Sequence, residues 1–540
     1  MSDLEEAKLL LADLPIDDPF TALDEITGWL VSVKETPGFR PESRAGILML
    51  LDETGQLFHQ ALLTRYLAES HLQDFQGLRL WKAMHGYSKA LTNAYALCVS
   101  EFQQESSPAS LFAEKIPIIC VRLLRAITEQ LKLELMRYIN VGQAVWEQLY
   151  KYYNFAVANE FAESIVFPYS RRAVHSSPQR ELLRAALLYA ASPATLAPEQ
   201  IETSYRIAAQ LSSYFDFKET ADQDCAYFLD LAKSTAPGDI HDKLQPTPSM
   251  RFFGATRAIP QLEALINDHK REVTEQDMDE KQKQSTDKNF IPQTKLTTLK
   301  HLKVYWGMDH PYRRQERRDI HTSIEVVYGF KVISNLVTIV ELNKIANLEE
   351  KEKALLKEKT DVRLVEVRES ISYIPETWDV LDVSVRGIGT TIPKTAGDWV
   401  KVGALCGLKA SNSNTWWVGM IRRLKTDPKG NVQAGIEIIA KKPLSVWLRS
   451  LGRGAHVATN WESSSESFKY DYVPVIIVPD AQESYENGTL LMEAQEYLAE
   501  RILEIMMGEK SGNIRLIGVL AEGADYVQIS FEWLDSTATT

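Results

Sequence analysis

Apolar residues in the first half of the chain recur with the period of an α-helix. Spacings typical of one helical face occur in two series, Leu124, Ile127, Leu131, Leu135 and Tyr138, and Leu51, Phe58, Leu62 and Tyr66. Proline and glycine lie mainly between such segments, as in Thr36-Pro37-Gly38, where they end helices. The pattern predicts an all-helical interaction domain of stacked hairpins, similar to an α-solenoid, over residues 1–265.

A polar segment follows this region. Residues 267–289 (NDHKREVTEQDMDEKQKQSTDKN) contain almost no apolar side chains, so they cannot bury a core of their own. The segment is either a linker or an exposed helix. We predict a polar linker over residues 266–300 and place the main domain boundary there.

Beyond residue 295 the hydrophobic period approaches two. β-branched and aromatic residues are frequent in residues 324–328, 378–385, 399–405, 415–421 and 432–439. Glycine- and asparagine-containing turns separate these segments. Several short strands at this spacing predict a small β-barrel or sandwich over residues 301–450.

A charged segment interrupts the strands of this region. Residues 342–364 have helical composition and include NLEEKEKALLKEKT, which starts at Asn347. We predict a solvated helix inserted between two strands, and the alternative is a helix used for dimer contacts.

The last ninety residues combine both periods. Residues 473–478, 513–521 and 526–533 have the composition of strands, whereas Leu491, Leu498, Ile502 and Ile505 keep a helical spacing. We predict that residues 451–540 form a unit of strands around one helix. The predicted fold class is therefore multidomain α + β, with the helical domain followed by a β-barrel and this C-terminal unit.

Charge and composition exclude several kinds of function. The 60 Lys and Arg against 73 Asp and Glu leave a formal net charge of −13, so the chain is a poor binder of polymeric nucleic acid. A small anion needs only a local cluster of positive charge. The four cysteines are far apart in sequence and form no metal motif, so we expect no metal and a reducing, cytoplasmic location. No apolar run approaches the roughly 20 residues that a membrane-spanning helix needs, so we expect no membrane span.

One local cluster of positive charge does occur, in residues 310–318 (HPYRRQERR). It contains Arg313, Arg314, Arg317 and Arg318 opposed by one glutamate, a net charge of +3 over nine residues. The planar guanidinium pairs bidentately with phosphate, can read guanine O6 and N7, and stacks on flat rings. By itself such a stretch is also typical of a solvated surface.

A second candidate element is the hexapeptide Asp382-Val383-Ser384-Val385-Arg386-Gly387. Side chains alternate along a strand, so Val383 and Val385 are expected in the barrel core and Asp382 and Ser384 together outside. A carboxylate can accept from the N–H edge of guanine, and a hydroxyl can donate to a phosphate oxygen. Gly387 lets a ligand approach the backbone closely. Alone, this hexapeptide is a common strand-to-turn sequence.

In this order the two elements resemble the PilZ domain, the bacterial receptor module for cyclic di-GMP. That family carries an RxxxR arm before a β-barrel and a D/NxSxxG motif on a barrel strand. Arg314 and Arg318 match the arm and Arg313 leads it, although Arg313 and Arg317 also form RxxxR, so the register stays open. The resemblance covers about residues 305–450. The 64 positions from Arg318 to Asp382 exceed the family's usual spacing, and the predicted inserted helix accounts for the excess.

The resemblance implies how a ligand would be held. Arg314 and Arg318 would engage the phosphates and guanines of cyclic di-GMP, and Asp382 and Ser384 would hold it from the barrel face, with Gly387 permitting close approach. A leading arginine such as Arg313 is linked in this family to an intercalated ligand dimer.

The resemblance also implies an output. Ordering of the arm would reorient the helical domain, which would contact a protein partner in motility or biofilm control. The alternative is an interaction scaffold with a degenerate barrel that binds no nucleotide. Beyond cyclic di-GMP as ligand we expect no cofactor. We also expect no enzymatic activity, because GxSxG, HExxH and GxxxxGK[ST] motifs are absent from the sequence.

Overall fold

The computed structural model divides the chain into two compact units, Met1–Arg313 and Arg314–Thr540. It describes residues 3–69, 75–104, 112–170, 174–241, 243–282, 291–308, 311, 318–346, 373–394, 396–397, 399–411, 413–427, 429–450, 472–480, 483–507, 510–523 and 525–534.

The first unit is mainly helical, as predicted. Its helices are α1 (Leu4–Ala12), α2 (Pro19–Glu35), α3 (Pro41–Glu69), α4 (Phe75–Gln104), α5 (Ile116–Met136), α6 (Gln143–Ala158), α7 (Pro178–Ala190), α8 (Pro198–Leu211), α9 (Ala258–Gln282) and α10 (Ile291–Trp306). Both predicted apolar stripes are buried, since Leu51 and Leu62 of α3 and Leu124 and Leu131 of α5 are at most 2% exposed. Burial of such a face supplies most of the stability of a helix in a protein.

The first unit also contains a small sheet, although residues 1–265 are predicted to be all-helical and only residues 225–231 have the composition of a short strand. Its antiparallel strands lie in the order β1-β4-β2-β3. They are β1 (Asp216–Lys218), β2 (Tyr227–Asp230), β3 (Gly238–Asp239) and β4 (Met250–Gly254). The strands are two to five residues long, too short to produce a clear alternating pattern in the sequence.

Part of the range predicted as a linker packs into the first unit. α10 buries Leu296, Leu299, Leu302 and Trp306 in the main helical core. The Trp306 indole also donates to the Leu187 carbonyl of α7 at 3.0 Å. The polar segment before α10 lacks such apolar residues. The predicted domain boundaries themselves stay predictions.

The second unit begins with a closed six-stranded barrel. Its strands are β5 (Arg318–Tyr328), β6 (Glu376–Val383), β7 (Gly387–Thr391), β8 (Leu405–Ala410), β9 (Trp417–Thr426) and β10 (Val432–Ala440). They close in the order β10-β7-β6-β5-β8-β9, with every neighbouring pair antiparallel. Inward residues such as Trp378, Val380 and Ile436 fill the interior at 0–4% exposure.

A helix between β5 and β6, α11 (Phe330–Ala346), is more apolar than the insertion predicted from the sequence. Phe330, Ile333 and Val337 lie on one face and pack between the two barrels of this unit. Asp525 accepts from the Phe330 N–H at 2.7 Å, which places a carboxylate at the positive end of the helix. Most of the predicted charged helix, residues 347–364, lies outside the described residues.

The C-terminal unit is a second closed six-stranded barrel. Its strands are β11 (Leu444–Ser450), β12 (Tyr472–Val478), β13 (Thr489–Met492), β14 (Ile502–Met507), β15 (Lys510–Glu522) and β16 (Val527–Leu534). They close in the order β11-β12-β13-β16-β15-β14. The predicted multidomain α + β fold, with a helical region and a PilZ-like barrel, is confirmed.

The prediction of a helix in the C-terminal unit is wrong. Leu491 lies in β13 and Ile505 in β14, and a 3-10 turn at Ala494–Glu496 stands between them. Leu503 and Ile505 alternate into the barrel core, whereas Leu498 and Ile502 are 54% and 40% exposed. The helical spacing therefore mixed buried and exposed positions of two strands and an intervening turn.

The two barrels share one topology. Numbered from the first strand of each barrel, both close in the cyclic order 1-2-3-6-5-4. None of the helices in the described ranges is long and apolar enough to cross a membrane.

Candidate functional site

The Asp-x-Ser-x-x-Gly hexapeptide forms a tight hairpin between β6 and β7. The Ser384 N–H donates to the Gly387 carbonyl at 2.8 Å, and the Ser384 hydroxyl donates to the same oxygen at 3.3 Å. The Arg386 carbonyl accepts from the Ile438 N–H of β10 at 2.9 Å. The motif is therefore a structured corner of the barrel, tied to a third strand.

A bulge sets which side chains of β6 face outward. Val380 pairs with Thr390 and Asp382 with Gly389, so Leu381 is the extra residue. Bulges re-aim the side chains that follow them. Here the bulge keeps Val380 inside while turning Asp382 to the outer face.

The prediction that both valines of the hexapeptide enter the core is wrong for one of them. Val383 pairs with the buried Ile388 and is itself half-buried. β6 ends at Val383, and Val385 lies in the turn with 72% of its surface exposed. Strand alternation does not extend into a turn.

One row of residues crosses the outer face of four strands next to this hairpin. Asp382 of β6 pairs with Gly389 of β7, which pairs with Gly435 of β10, which pairs with Arg423 of β9. A Cβ built at Gly389 would stand 2.5 Å from Asp382 Oδ1, and one built at Gly435 would stand 2.5 Å from Arg423 Nε. A carboxylate and a guanidinium thus lie over two neighbouring glycines. A residue with a Cβ at either position would collide with the side chain above it. We call these four residues the glycine row.

The sequence motif identifies Asp382 but not the other three members of the glycine row. Gly389 and Gly435 each stand at an outward position of a strand, where glycine often marks close approach of another group. That signal is present in the sequence, but the pairing of positions 389, 435 and 423 comes only from strand register.

The described end of the arginine arm lies alongside the hairpin. β5 begins at Arg318, whose backbone pairs with Val383, and the next residue, Asp319, pairs with Asp382. Arg318 is exposed. The structure therefore brings Arg318 to the same end of the barrel as Asp382, Ser384 and Gly387.

Three other predicted site residues, Arg313, Arg314 and Arg317, lie outside the described residues, and the register of the RxxxR motif stays a prediction. Within the part of the chain that the structure describes, no group of three or more His, Cys, Asp or Glu side chains could hold a metal ion.

Two family models match separate parts of this chain. Residues 5–222 match "Cyclic-di-GMP receptor FimW, N-terminal domain", and residues 334–443 match "Cyclic-di-GMP receptor FimW, middle PilZ domain". The helical region and the first barrel are therefore each similar to a domain of the FimW receptor. The resemblance of its first barrel to PilZ domains is therefore confirmed, and the FimW N-terminal match covers α1 to α8.

The FimW PilZ match includes the whole glycine row and the Ser384 turn but starts after the arginine arm. No curated protein matches the chain. One solved structure, titled "MrkH, A novel c-di-GMP dependence transcription regulatory factor", is similar over 42% of this chain and 92% of its own, with 9% identity and a TM-score of 0.14. A TM-score this low does not support a shared fold or function.

Proposed function

We propose that this chain is a cyclic di-GMP-binding effector that captures its ligand on the outer face of the first barrel. The observation that carries the proposal is the corner where the Asp382 carboxylate lies over Gly389, beside the Ser384 turn and the start of β5 at Arg318. The FimW family is described as cyclic-di-GMP receptors, which favours this ligand over other nucleotides.

The chemistry of this corner suits a guanine nucleotide. Asp382 can accept from the N–H edge of a guanine, because an ionised carboxylate is an acceptor only. Ser384 donates to the Gly387 carbonyl in this structure, and its hydroxyl can rotate to donate to a phosphate oxygen instead. The missing Cβ atoms of Gly389 and Gly435 let the Asp382 and Arg423 side chains lie close to the sheet, where both can face a ligand.

The arginine arm would supply the positive charge. Arg314 and Arg318 would pair with the phosphates and stack on guanine, with Arg313 and Arg317 completing the cluster. In a chain of net charge −13, this cluster would attract a small anion to this end of the barrel.

The position of the arm suggests the output. The boundary between the two compact units falls between Arg313 and Arg314, so the arm is part of the connection between them. Ligand binding would order this connection and change how the helical unit presents itself to an unidentified protein partner. Such a change needs a difference in free energy between the two states, which the bound ligand supplies.

Calorimetric titration of cyclic di-GMP into the wild type and Arg314→Ala tests the proposal. We expect binding by the wild type and a loss of about 5- to 100-fold in the variant, the worth of one bidentate arginine contact. No heat with the wild type would favour the alternative, an interaction scaffold with a degenerate barrel. Unchanged affinity in Arg314→Ala would refute the role of the arm.

A further inference from the structure

The helical unit contains a second concentration of arginine, around a cavity of about 200 Å³. The cavity lies between α5, α7 and α8. Its charged lining consists of Arg125, Arg180, Arg184 and Arg206 with one carboxylate, Glu181. Ser176 and His175 also line the cavity.

The acidic groups near the cavity do not balance these cations. Glu181 contacts both Arg125 and Arg184, and Arg206 pairs with Glu202 at 2.6 Å. Glu202 is shared with the buried Lys132, which also pairs with Glu129. When these partners are counted with the lining residues, the group contains five cations and three carboxylates. Excess positive charge around a partly enclosed space favours an anion.

Glu181 is held ionised by its neighbours. Burial would raise the pKa of the Glu181 carboxyl, but Arg125 and Arg184 outweigh that effect, so its pKa is lowered. Burial likewise opposes the charged form of Arg125, and Glu181 again outweighs it, so the pKa of Arg125 is raised. The cavity therefore keeps its charges at neutral pH.

Two guanidinium groups at the cavity retain unused donors. Arg125 Nε is buried and has no hydrogen-bond partner in the described part of the chain. Arg180 forms no ion pair with any described residue, although it lines the cavity. Leaving the buried Arg125 donor unpaired is unfavourable, and an anion in the cavity would satisfy it and pair with the partly exposed Arg180.

The backbone at the start of α7 does not provide the binding groups. The Gln179 N–H donates to the Ala162 carbonyl at 2.9 Å, and the Arg180 N–H donates to Ser177 Oγ at 3.3 Å. These amides are already used, so recognition must come from the arginine side chains.

From these observations we propose that the cavity binds the phosphate group of a small ligand, independently of the barrel site. Several arginines with planar guanidinium groups can bind all three oxygens of a terminal phosphate, whereas a ligand carboxylate offers them only two oxygens. A volume of about 200 Å³ is below the ~300–1,000 Å³ of sites for drug-sized molecules. It accommodates a phosphate with a small substituent, but not a ligand with two guanines such as cyclic di-GMP.

Calorimetric titration of the full chain in phosphate-free buffer tests this site. The probes are inorganic phosphate, pyrophosphate and glycerol 3-phosphate, which distinguish a free anion from a phosphate monoester. We expect at least one probe to bind and Arg180→Ala to weaken it by about tenfold or more, the value of a hydrogen-bonded charge contact. Arg271→Ala is the matched control, because Arg271 is exposed on α9 and pairs only weakly with Asp268, at 3.9 Å.

The expected pattern is normal binding by Arg271→Ala and also by Arg314→Ala, which removes a phosphate-pairing arginine of the barrel site only. Absence of binding by all three probes, or equal affinity in the wild type and Arg180→Ala, would overturn the proposal. Loss of phosphate binding in Arg314→Ala would also overturn it, since the anion would then lie at the barrel. Thermal unfolding of each variant checks that Arg180→Ala is folded. If it is not, Arg180→Gln is titrated in its place and judged by the same outcomes.

Discussion

The two barrels of the second unit have the same strand order and closure but different outer faces. In the first barrel the row beside the strand 2–strand 3 hairpin is Asp382, Gly389, Gly435 and Arg423. In the second barrel the outward row at the corresponding end is Val478, Thr489, Ser530 and Gly518. The first row carries two opposite charges over two glycines, and the second carries no charge.

This difference separates fold from function. Identical topology places a hairpin at the same position in each barrel. The first is a tight turn in which the Ser384 hydroxyl donates to the Gly387 carbonyl, whereas residues 479–488 form a longer connection in the second. A shared architecture does not by itself imply a shared activity, because binding depends on the side chains of the site. We expect cyclic di-GMP to bind the first barrel and not the second.

The largest effect is expected from a methyl group placed on the glycine row. In Gly389→Ala the new Cβ would stand 2.5 Å from Asp382 Oδ1 and displace the carboxylate. We expect cyclic di-GMP affinity, measured by calorimetry, to fall by about 100-fold, since the charged contact is lost and the displaced carboxylate obstructs the ligand. Gly518→Ala in the second barrel is the matched control, because no described atom lies within 4 Å of its Cβ. Equal losses in both variants would contradict the comparison.

Removing the carboxylate itself should have the next largest effect. We expect Asp382→Ala to weaken cyclic di-GMP by about 10- to 100-fold, the value of hydrogen bonds to a charged group, again measured by calorimetry. Asp379→Ala removes an exposed carboxylate from the same strand and should change affinity less than about twofold. If Asp379→Ala is as damaging as Asp382→Ala, general electrostatics rather than a specific contact explains the binding.

Two adjacent arginines of β9 sharpen the comparison further. Arg423 lies over Gly435 in the glycine row, whereas Arg422 pairs with Glu437 at 2.5 Å on an exposed surface. We expect Arg423→Ala to weaken cyclic di-GMP by about tenfold and Arg422→Ala to leave it nearly unchanged. Calorimetry at two salt concentrations measures both. The reverse order of effects would exclude Arg423 from the site.

The smallest effects concern the hairpin turn. Ser384→Ala loses the hydroxyl bond to the Gly387 carbonyl, and we expect it to lower the free energy of unfolding by about 0.5–1.5 kcal/mol. Val385→Ala should change stability by less than about 0.5 kcal/mol, because Val385 is exposed. Urea unfolding monitored by fluorescence compares them. A larger loss in Val385→Ala would contradict its position outside the core.

Local patterns in the sequence predicted the parts of the fold that depend on local spacing. The stripes through Leu51 and Leu124 predicted buried helical faces because a regular helix repeats its environment every three to four residues. Leu498 and Ile502 misled the same reasoning, because two short strands and a turn happened to place apolar residues at helical intervals. The sequence pattern places the inserted helix in the charged segment, whereas the apolar face of α11, which begins at Phe330, lies before most of that segment.

The site was only partly predictable for a different reason. Asp382, Ser384 and Gly387 lie in one hexapeptide, so a motif could identify them. Gly389, Gly435 and Arg423 join them through strand register, which is set by bulges and by pairing of strands distant in sequence. A single sequence does not specify that pairing.

Hydrogen–deuterium exchange with and without saturating cyclic di-GMP tests the central claim most directly. We predict slower exchange in peptides spanning β6 and β7 and the neighbouring part of β9 and β10, where the glycine row lies. We predict unchanged exchange in β12 and β13 of the second barrel. Protection of the second barrel alone, or binding without any protection of residues 382–391, would contradict the assignment of the ligand to the first barrel.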